Sequence, residues 1–151
     1  ALLGLTFKPG TDDLRDAPAL TIALSLLGRN ADVVAYDPMS TARTATRRIM
    51  PALTVVDDVW AALADADGVG LVTEWPEFVS LDWSDVRAVM RGDVVVDGRN
   101  ALDPAALDAA GFHYTGFGRQ VGSARRTVRG ARVRRREDSS VTPLVASVAF
   151  D

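Results

Sequence analysis

Cysteine is absent from this 151-residue chain, which removes disulfides, thiolate metal sites and thiol catalysis together. Histidine occurs once, as His113, so the ligand set of a zinc cluster is missing and a serine-histidine triad would have to form around that residue. No apolar run reaches the ~18 residues of a membrane span. The opening residues Ala1-Leu2-Leu3 carry neither an initiator methionine nor a secretory or targeting segment. A chain that opens inside a strand reads as a piece of a longer protein, with the cytoplasm as its expected location. Lysine is also nearly absent: Lys8 is the only one among 17 basic residues.

What is present, 48% hydrophobic and 25% charged residues, suits one globular domain able to bury a single core. The formal net charge of −3 hides an asymmetry. Arg125, Arg126, Arg129, Arg132, Arg134, Arg135 and Arg136 crowd together near the end of the chain, leaving the remainder acidic. A basic run can attract nucleic acid or a membrane surface. This one has no interleaved aromatics, and the expected form is a solvated, flexible tail over 123–151.

Strand and helix signals alternate along the rest. Leu2 to Phe7 is a short apolar run that opens at Lys8-Pro9-Gly10 into a loop. Asp16 is placed to cap a helix starting at Ala17-Pro18, with Leu20, Ala23, Leu24 and Leu27 on one face and Gly28 as its stop. Asp32 to Tyr36 is a second strand, and Ser40 caps a helix to about Met50, with Arg43, Arg47 and Arg48 outward and Pro51 ending it. Thr54 to Val56 is a third strand, Asp57 caps a helix over Val59 to Ala64, and Gly68 to Val72 is a fourth strand. A helix over Ser84 to Met90, a strand at Asp93 to Val96, a helix from Asp103-Pro104 to Gly111 and a last strand at Phe112 to Gly116 complete the series. Such alternation implies right-handed βαβ crossovers. The expected fold is α/β, a Rossmann-like three-layer sandwich with a mainly parallel sheet of about six strands.

Ligands of such sheets bind beyond the carboxyl ends of the strands, where strand order reverses. The loops there are Lys8 to Arg15, Asp37-Pro38, Thr73-Glu74-Trp75 and Asp97-Gly98-Arg99-Asn100. Lys8, Arg15 and Arg99 should converge on one edge. A diphosphate suits Lys as a compact charge and Arg as a planar fork, the roles of Lys8 and Arg99. Equally, Lys8 could pair with Asp12 or Asp13, and Arg15 could be neutralised by Asp12, Asp13 or Asp16. Neither Gly4 to Thr11 nor Gly116-Phe117-Gly118-Arg119-Gln120-Val121-Gly122 has the glycine spacing of a phosphate or dinucleotide cradle. Asp37 reads as the cap of its turn with Pro38 rather than a ribose acid. Glu74 with Asp97 is a weak acid/base candidate, Trp75 reads as a loop anchor more than a base-stacking platform, and His113 as structural.

With those residues in view, the chain resembles the C-terminal, UDP-binding domain of the UDP-glucose 6-dehydrogenase family, within the UDP-glucose/GDP-mannose dehydrogenase superfamily. The likeness rests on GLTFKPGTDDLRDAPAL at Gly4 to Leu20, AYDPM at Ala35 to Met39, VTEWPEF at Val72 to Phe78, DGRNALDP at Asp97 to Pro104 and, more weakly, GFGR at Gly116 to Arg119. It covers residues 1–122, which it implies are one domain. Glu74-Trp75 and Asp97 to Asn100 favour the UDP-glucose branch over the GDP-mannose and UDP-N-acetylmannosamine enzymes. The resemblance implies that Phe7 and Lys8 lie against the UDP-sugar, that Arg99 also contacts substrate, and that Arg15 faces NAD. It implies oxidation of UDP-glucose to UDP-glucuronate by two hydride transfers to NAD, through a thioester on a catalytic cysteine. No cysteine is present here, so no catalytic residue is expected in this chain. The nucleophile, the NAD-binding domain and the central helical, dimerising domain would lie upstream, the parent enzyme being a homodimer or larger. The alternative is a non-catalytic Rossmann-like module binding nucleic acid or a partner through its arginine tail.

Overall fold

The computed structural model describes residues 1–121; the basic tail expected over 123–151 lies outside the described residues. Thirteen elements follow in chain order: β1 (Leu2–Leu3), α1 (Pro18–Leu27), β2 (Val34–Tyr36), α2 (Ser40–Ile49), β3 (Thr54–Val55), α3 (Val59–Leu63), β4 (Gly68–Leu71), α4 (Pro76–Val79), α5 (Trp83–Val89), β5 (Val94–Asp97), α6 (Pro104–Ala109), β6 (His113–Gly116) and β7 (Arg119–Val121). One sheet holds all seven strands in the order β3-β2-β1-β4-β5-β6-β7. Strands β1 to β6 are parallel, and β7 turns back antiparallel along β6, pairing Gly116 with Arg119 and Tyr114 with Val121. The α/β, mainly parallel expectation therefore holds, with the GFGR segment adding a hairpin at the sheet edge. Strand order reverses between β1 and β4, which sets the crevice at their carboxyl ends.

Two apolar clusters sandwich the sheet. Leu3, Tyr36, Leu71, Val95 and Tyr114 face α3, α5 and α6 on one side, with Phe78, Trp83 and Phe112 filling between them. On the other, Leu2, Ala35 and Val72 meet Ala19 and Ala23 of α1, with Met50 and Leu53 beyond the end of α2. Over β5 and β6 this second face is bare among the described residues: Val94 and Val96 are 44% and 50% exposed, beside exposed His113 and Thr115. Coverage on both faces thus does not extend to β5 and β6.

Several local expectations shift for identifiable reasons. Asp16 does not cap α1, because it takes a left-handed backbone at φ +53, a conformation Asp tolerates; Ala17 holds the cap position with no side-chain bond. Of the expected face of α1, Ala23 is buried and Leu20 and Leu27 pack against the same cluster, whereas Leu24 is 59% exposed and Ala19 is buried instead. Ser40 is the first residue of α2 and not its cap, which is Met39. The cap of α3 is Asp58, accepting from Ala61 N at 2.9 Å, because neighbouring Asp57 is drawn to Arg43 and Arg47. Arg43 is not outward. Its guanidinium lies 5.4 Å from the Tyr36 ring centroid and donates to the Asp37 and Pro38 carbonyls. Asp82 and Asp103 cap α5 and α6 through their side chains.

Candidate functional site

The crevice is built from four strand ends, and its shape begins at Gly4. There β1 ends with φ +91, and a Cβ would lie 2.5 Å from Thr73 Cβ and 2.6 Å from Thr73 N, so only glycine lets the two loops pass this closely. Thr73 Oγ1 donates to the Thr6 carbonyl at 2.5 Å, joining the β1 and β4 loops.

Asp37, at the end of β2, ties the same loops from below. Its side chain is fully buried, a position a carboxylate holds only when its lone pairs are filled. Oδ2 accepts from Leu5 N at 2.7 Å, Thr6 N at 3.2 Å and Trp75 Nε1 at 3.2 Å. Thr6 Oγ1 lies 3.2 Å from both Asp37 Oδ2 and the Lys8 carbonyl, so its single proton serves one at a time. Oδ1 accepts from Met39 N at 2.9 Å, the turn cap read from the sequence. The remaining bonds join chain segments that no local pattern links. Trp75 is thereby an anchor, its ring packed on the core and its N–H on Asp37.

Past this buried knot the chain surfaces. Phe7 is 49% exposed, and its N–H donates to the Asp13 carbonyl at 2.9 Å, closing the loop. Lys8 is exposed and forms no ion pair among the described residues, so neither Asp12 nor Asp13 claims it.

Asp13 is taken instead by Arg15, whose Nε and Nη2 reach its two oxygens at 2.9 and 2.7 Å. That hydrogen-bonded fork holds the Asp13 carboxyl down to about 2. A depressed folded-state value stabilises above the ordinary aspartate range and is lost as pH falls through about 2. In Arg15→Ala, an NMR pH titration should find Asp13 raised toward its ordinary value but still below it, because the residue-15 backbone N–H continues to bond Oδ1, with the melting temperature at pH 7 almost unchanged because the pair is solvent-exposed. Arg15 itself makes no described contact with Lys8 or Arg99. Its loop lines an open recess with Ala45 of α2.

Arg99 arrives from the opposite side of the crevice. Asp97, almost wholly buried, shapes its loop: Oδ1 accepts from Arg99 N at 2.9 Å, and Oδ2 from Leu102 N at 2.9 Å and the Tyr114 hydroxyl at 3.1 Å. Both Asp97 oxygens are thus engaged in holding the loop and the Tyr114 hydroxyl. The Arg99 side chain then reaches back over β4 to the β1 loop, donating from Nε to the Val72 carbonyl at 2.8 Å and from Nη2 to the Phe7 carbonyl at 2.7 Å. Arg99 is thus bonded to the backbone of the residue that precedes Lys8 in the chain. Nη1 makes no hydrogen bond among the described residues.

Glu74 Oε2 sits 2.9 Å from Arg99 Nε. That N–H points at Val72, however, and leaves the buried Oε2 without an aligned donor. The contact is ionic rather than directional, so Glu74 neighbours Arg99 and not Asp97 as a partner in proton transfer. His113 is at the other end of the sheet, 3.7 Å from Asp93, and takes no part. No group of three or more metal-ligating side chains occurs among the described residues.

Residues 1–104 match the model of the UDP-glucose/GDP-mannose dehydrogenase family, UDP binding domain. The chain belongs to this family. The UDP-glucose 6-dehydrogenase of Pseudomonas aeruginosa is 45% identical over 123 residues, covering 79% of this chain and 27% of that protein. Among solved structures, the UDP-glucose dehydrogenase of Pyrobaculum islandicum is 40% identical with a TM-score of 0.56, over 66% of this chain and 21% of that one. The NDP-N-acetyl-D-galactosaminuronic acid dehydrogenase of Methanosarcina mazei is 26% identical with a TM-score of 0.67, over 80% and 24%. This UDP-binding domain thus spans about a quarter of the length of the curated relatives it matches. The strand-end loops carrying Phe7, Lys8, Glu74 and Arg99 all lie inside the family match.

Proposed function

We propose that the rim formed by Phe7, Lys8 and Arg99 binds the UDP moiety of a nucleotide sugar, and that residues 1–122 are the substrate domain of an NAD-dependent UDP-glucose 6-dehydrogenase. The observation that carries the reading is Arg99. A guanidinium fixed across the β1, β4 and β5 ends at the reversal of strand order bonds the residue next to Lys8 and keeps Nη1 unengaged, and neither Nη1 nor Lys8 has a partner among the described residues. Two such cations suit a diphosphate, one as a fork and one as a point charge, and exposed Phe7 offers an apolar surface next to them. UDP-glucose is preferred over GDP-mannose or UDP-N-acetylmannosamine because curated relatives at 45% and 38% identity are named as UDP-glucose 6-dehydrogenases.

NAD fits this chain only at its margin. The β1–α1 connection carries Asp12, Asp13 and Asp16 where a dinucleotide turn would be glycine-rich, and the Arg15 fork would have to leave Asp13 to meet a phosphate. By the family resemblance, we infer that NAD is held mainly by an N-terminal domain of a longer enzyme, cytoplasmic and a homodimer or larger, joined through a central helical domain. Without a cysteine, this chain supplies neither nucleophile nor hydride acceptor.

UDP added to the chain should raise its melting temperature, since a ligand specific to the folded state at a hundredfold excess over Kd stabilises it by ~2.7 kcal/mol. Lys8→Ala should weaken UDP about tenfold, the loss of one charge-assisted contact. NAD alone should shift nothing, and no NADH should form from UDP-glucose. A shift produced equally by GDP-mannose would move the assignment to that branch, and no shift with any nucleotide would refute it.

A further inference from the structure

We infer that Glu74 is the positioning residue that holds the Arg99 guanidinium for a diphosphate, an inference that rests on the reading of the rim as a UDP site. Residues 72–74 present Arg99 with a carbonyl from Val72 and a carboxylate from Glu74 on the same Nε side. The Phe7 carbonyl holds Nη2 from the next loop. All three contacts fall on one edge of the fork. The unengaged Nη1, with its two N–H groups, lies off that edge, on a side chain 31% exposed.

The two carbonyls alone would orient the fork, but they are neutral acceptors, whereas Arg99 is a long side chain with many rotamers. Glu74 adds attraction that needs no alignment. Its Oε2 has no donor of its own, so its place beside the guanidinium is explained by charge and by nothing else in the crevice. Being buried on the protein side of Arg99, that oxygen draws the guanidinium inward while a diphosphate approaches the opposite edge. The partial neutralisation of Arg99 costs some affinity, and the inference requires that the gain from a fixed fork exceeds it.

Two measurements on the 151-residue chain decide it. In ligand-free protein, the Arg99 Nε–H resonance should be protected from solvent exchange, and Glu74→Ala should speed that exchange at least tenfold; unchanged protection overturns the inference whether or not UDP binds. In UDP titrations, Glu74→Ala should raise Kd about tenfold and Glu74→Gln about threefold. In an Arg99→Ala background, Glu74→Ala should change Kd no further. Tighter UDP binding in either Glu74 variant would make the carboxylate a competitor and overturn the inference, as would an equal loss in the Arg99→Ala background. If the unsubstituted chain fails to bind UDP, the functional reading falls, and with it the ligand half of this inference. The exchange measurement still decides whether Glu74 fixes Arg99.

Discussion

Asp37→Ala should destabilise the chain by about 4 kcal/mol, a large share of the ~5–15 kcal/mol that holds a domain of this size together. The side chain is fully buried, and its removal leaves Leu5 N, Thr6 N, Met39 N and Trp75 Nε1 without their acceptor. Each buried donor left unpaired costs ~1–3 kcal/mol, and water entering the vacated space recovers part of the sum. Thermal or urea unfolding measures it, and a fall of 10 °C or more in melting temperature is expected from the usual ~2–8 °C per kcal/mol.

Asp37→Asn separates the two carboxylate oxygens. A single amide oxygen can replace Oδ2, where most of the donors converge, while the amide NH₂ would then face the Met39 N–H. The loss should be about 1–2 kcal/mol, one broken turn bond and one donor facing another. Equal losses in the two variants would mean that the Oδ2 bonds do not hold the β1 and β4 loops. Because those bonds sit directly beneath Phe7 and Lys8, the Asn variant should also retain UDP binding.

How far these features were legible in the sequence depends on how local their causes are. The strand-end loops were visible because Pro9-Gly10, Asp37-Pro38 and Asp97-Gly98 punctuate apolar runs, and turn chemistry acts over a few residues. The same locality exposed the Asp37 bond to Met39. It hid the other bonds, whose partners lie 31 to 38 positions away. Arg43 read as outward from helical periodicity, yet its long side chain folds back over Tyr36, and periodicity fixes only where a Cβ points. Asp57 and Asp58 are equivalent cap candidates until Arg43 and Arg47 are brought close by the fold.

The bare face of β5 illustrates a different blindness. Val94-Val95-Val96 has no polar alternation, and parallel strands buried on both sides have the same continuous apolar look. Nothing in the run distinguishes the covered Val95 from the exposed Val94 and Val96. Glu74 was seen as a strand-end carboxylate, but its neighbour was misassigned, since Arg99 reaches it from a loop 25 residues on only because β4 and β5 pair in register.

Arg99→Ala should weaken UDP binding by at least a hundredfold, ~2.7 kcal/mol, the largest loss expected from any single substitution at the rim. Two effects add. The diphosphate loses its planar fork, and the Val72 and Phe7 carbonyls lose the donor that bridges their loops, so Phe7 and Lys8 are no longer fixed relative to β4. Arg99→Lys tests the division between them. It restores the charge, but one ammonium on a flexible stem cannot reproduce a fork that bonds carbonyls on two loops while presenting a third nitrogen outward. Lysine should therefore recover about tenfold of the loss and no more, and the recovered part should vanish at high salt, where an exposed point charge is screened. Calorimetric titration with UDP at low and high ionic strength reads both. If Arg99→Lys binds as tightly as arginine, charge alone matters and the bridging geometry is incidental. If Arg99→Ala binds UDP undiminished, the diphosphate lies elsewhere, and the Arg99 bridge between the β1 and β4 loops has no bearing on the substrate.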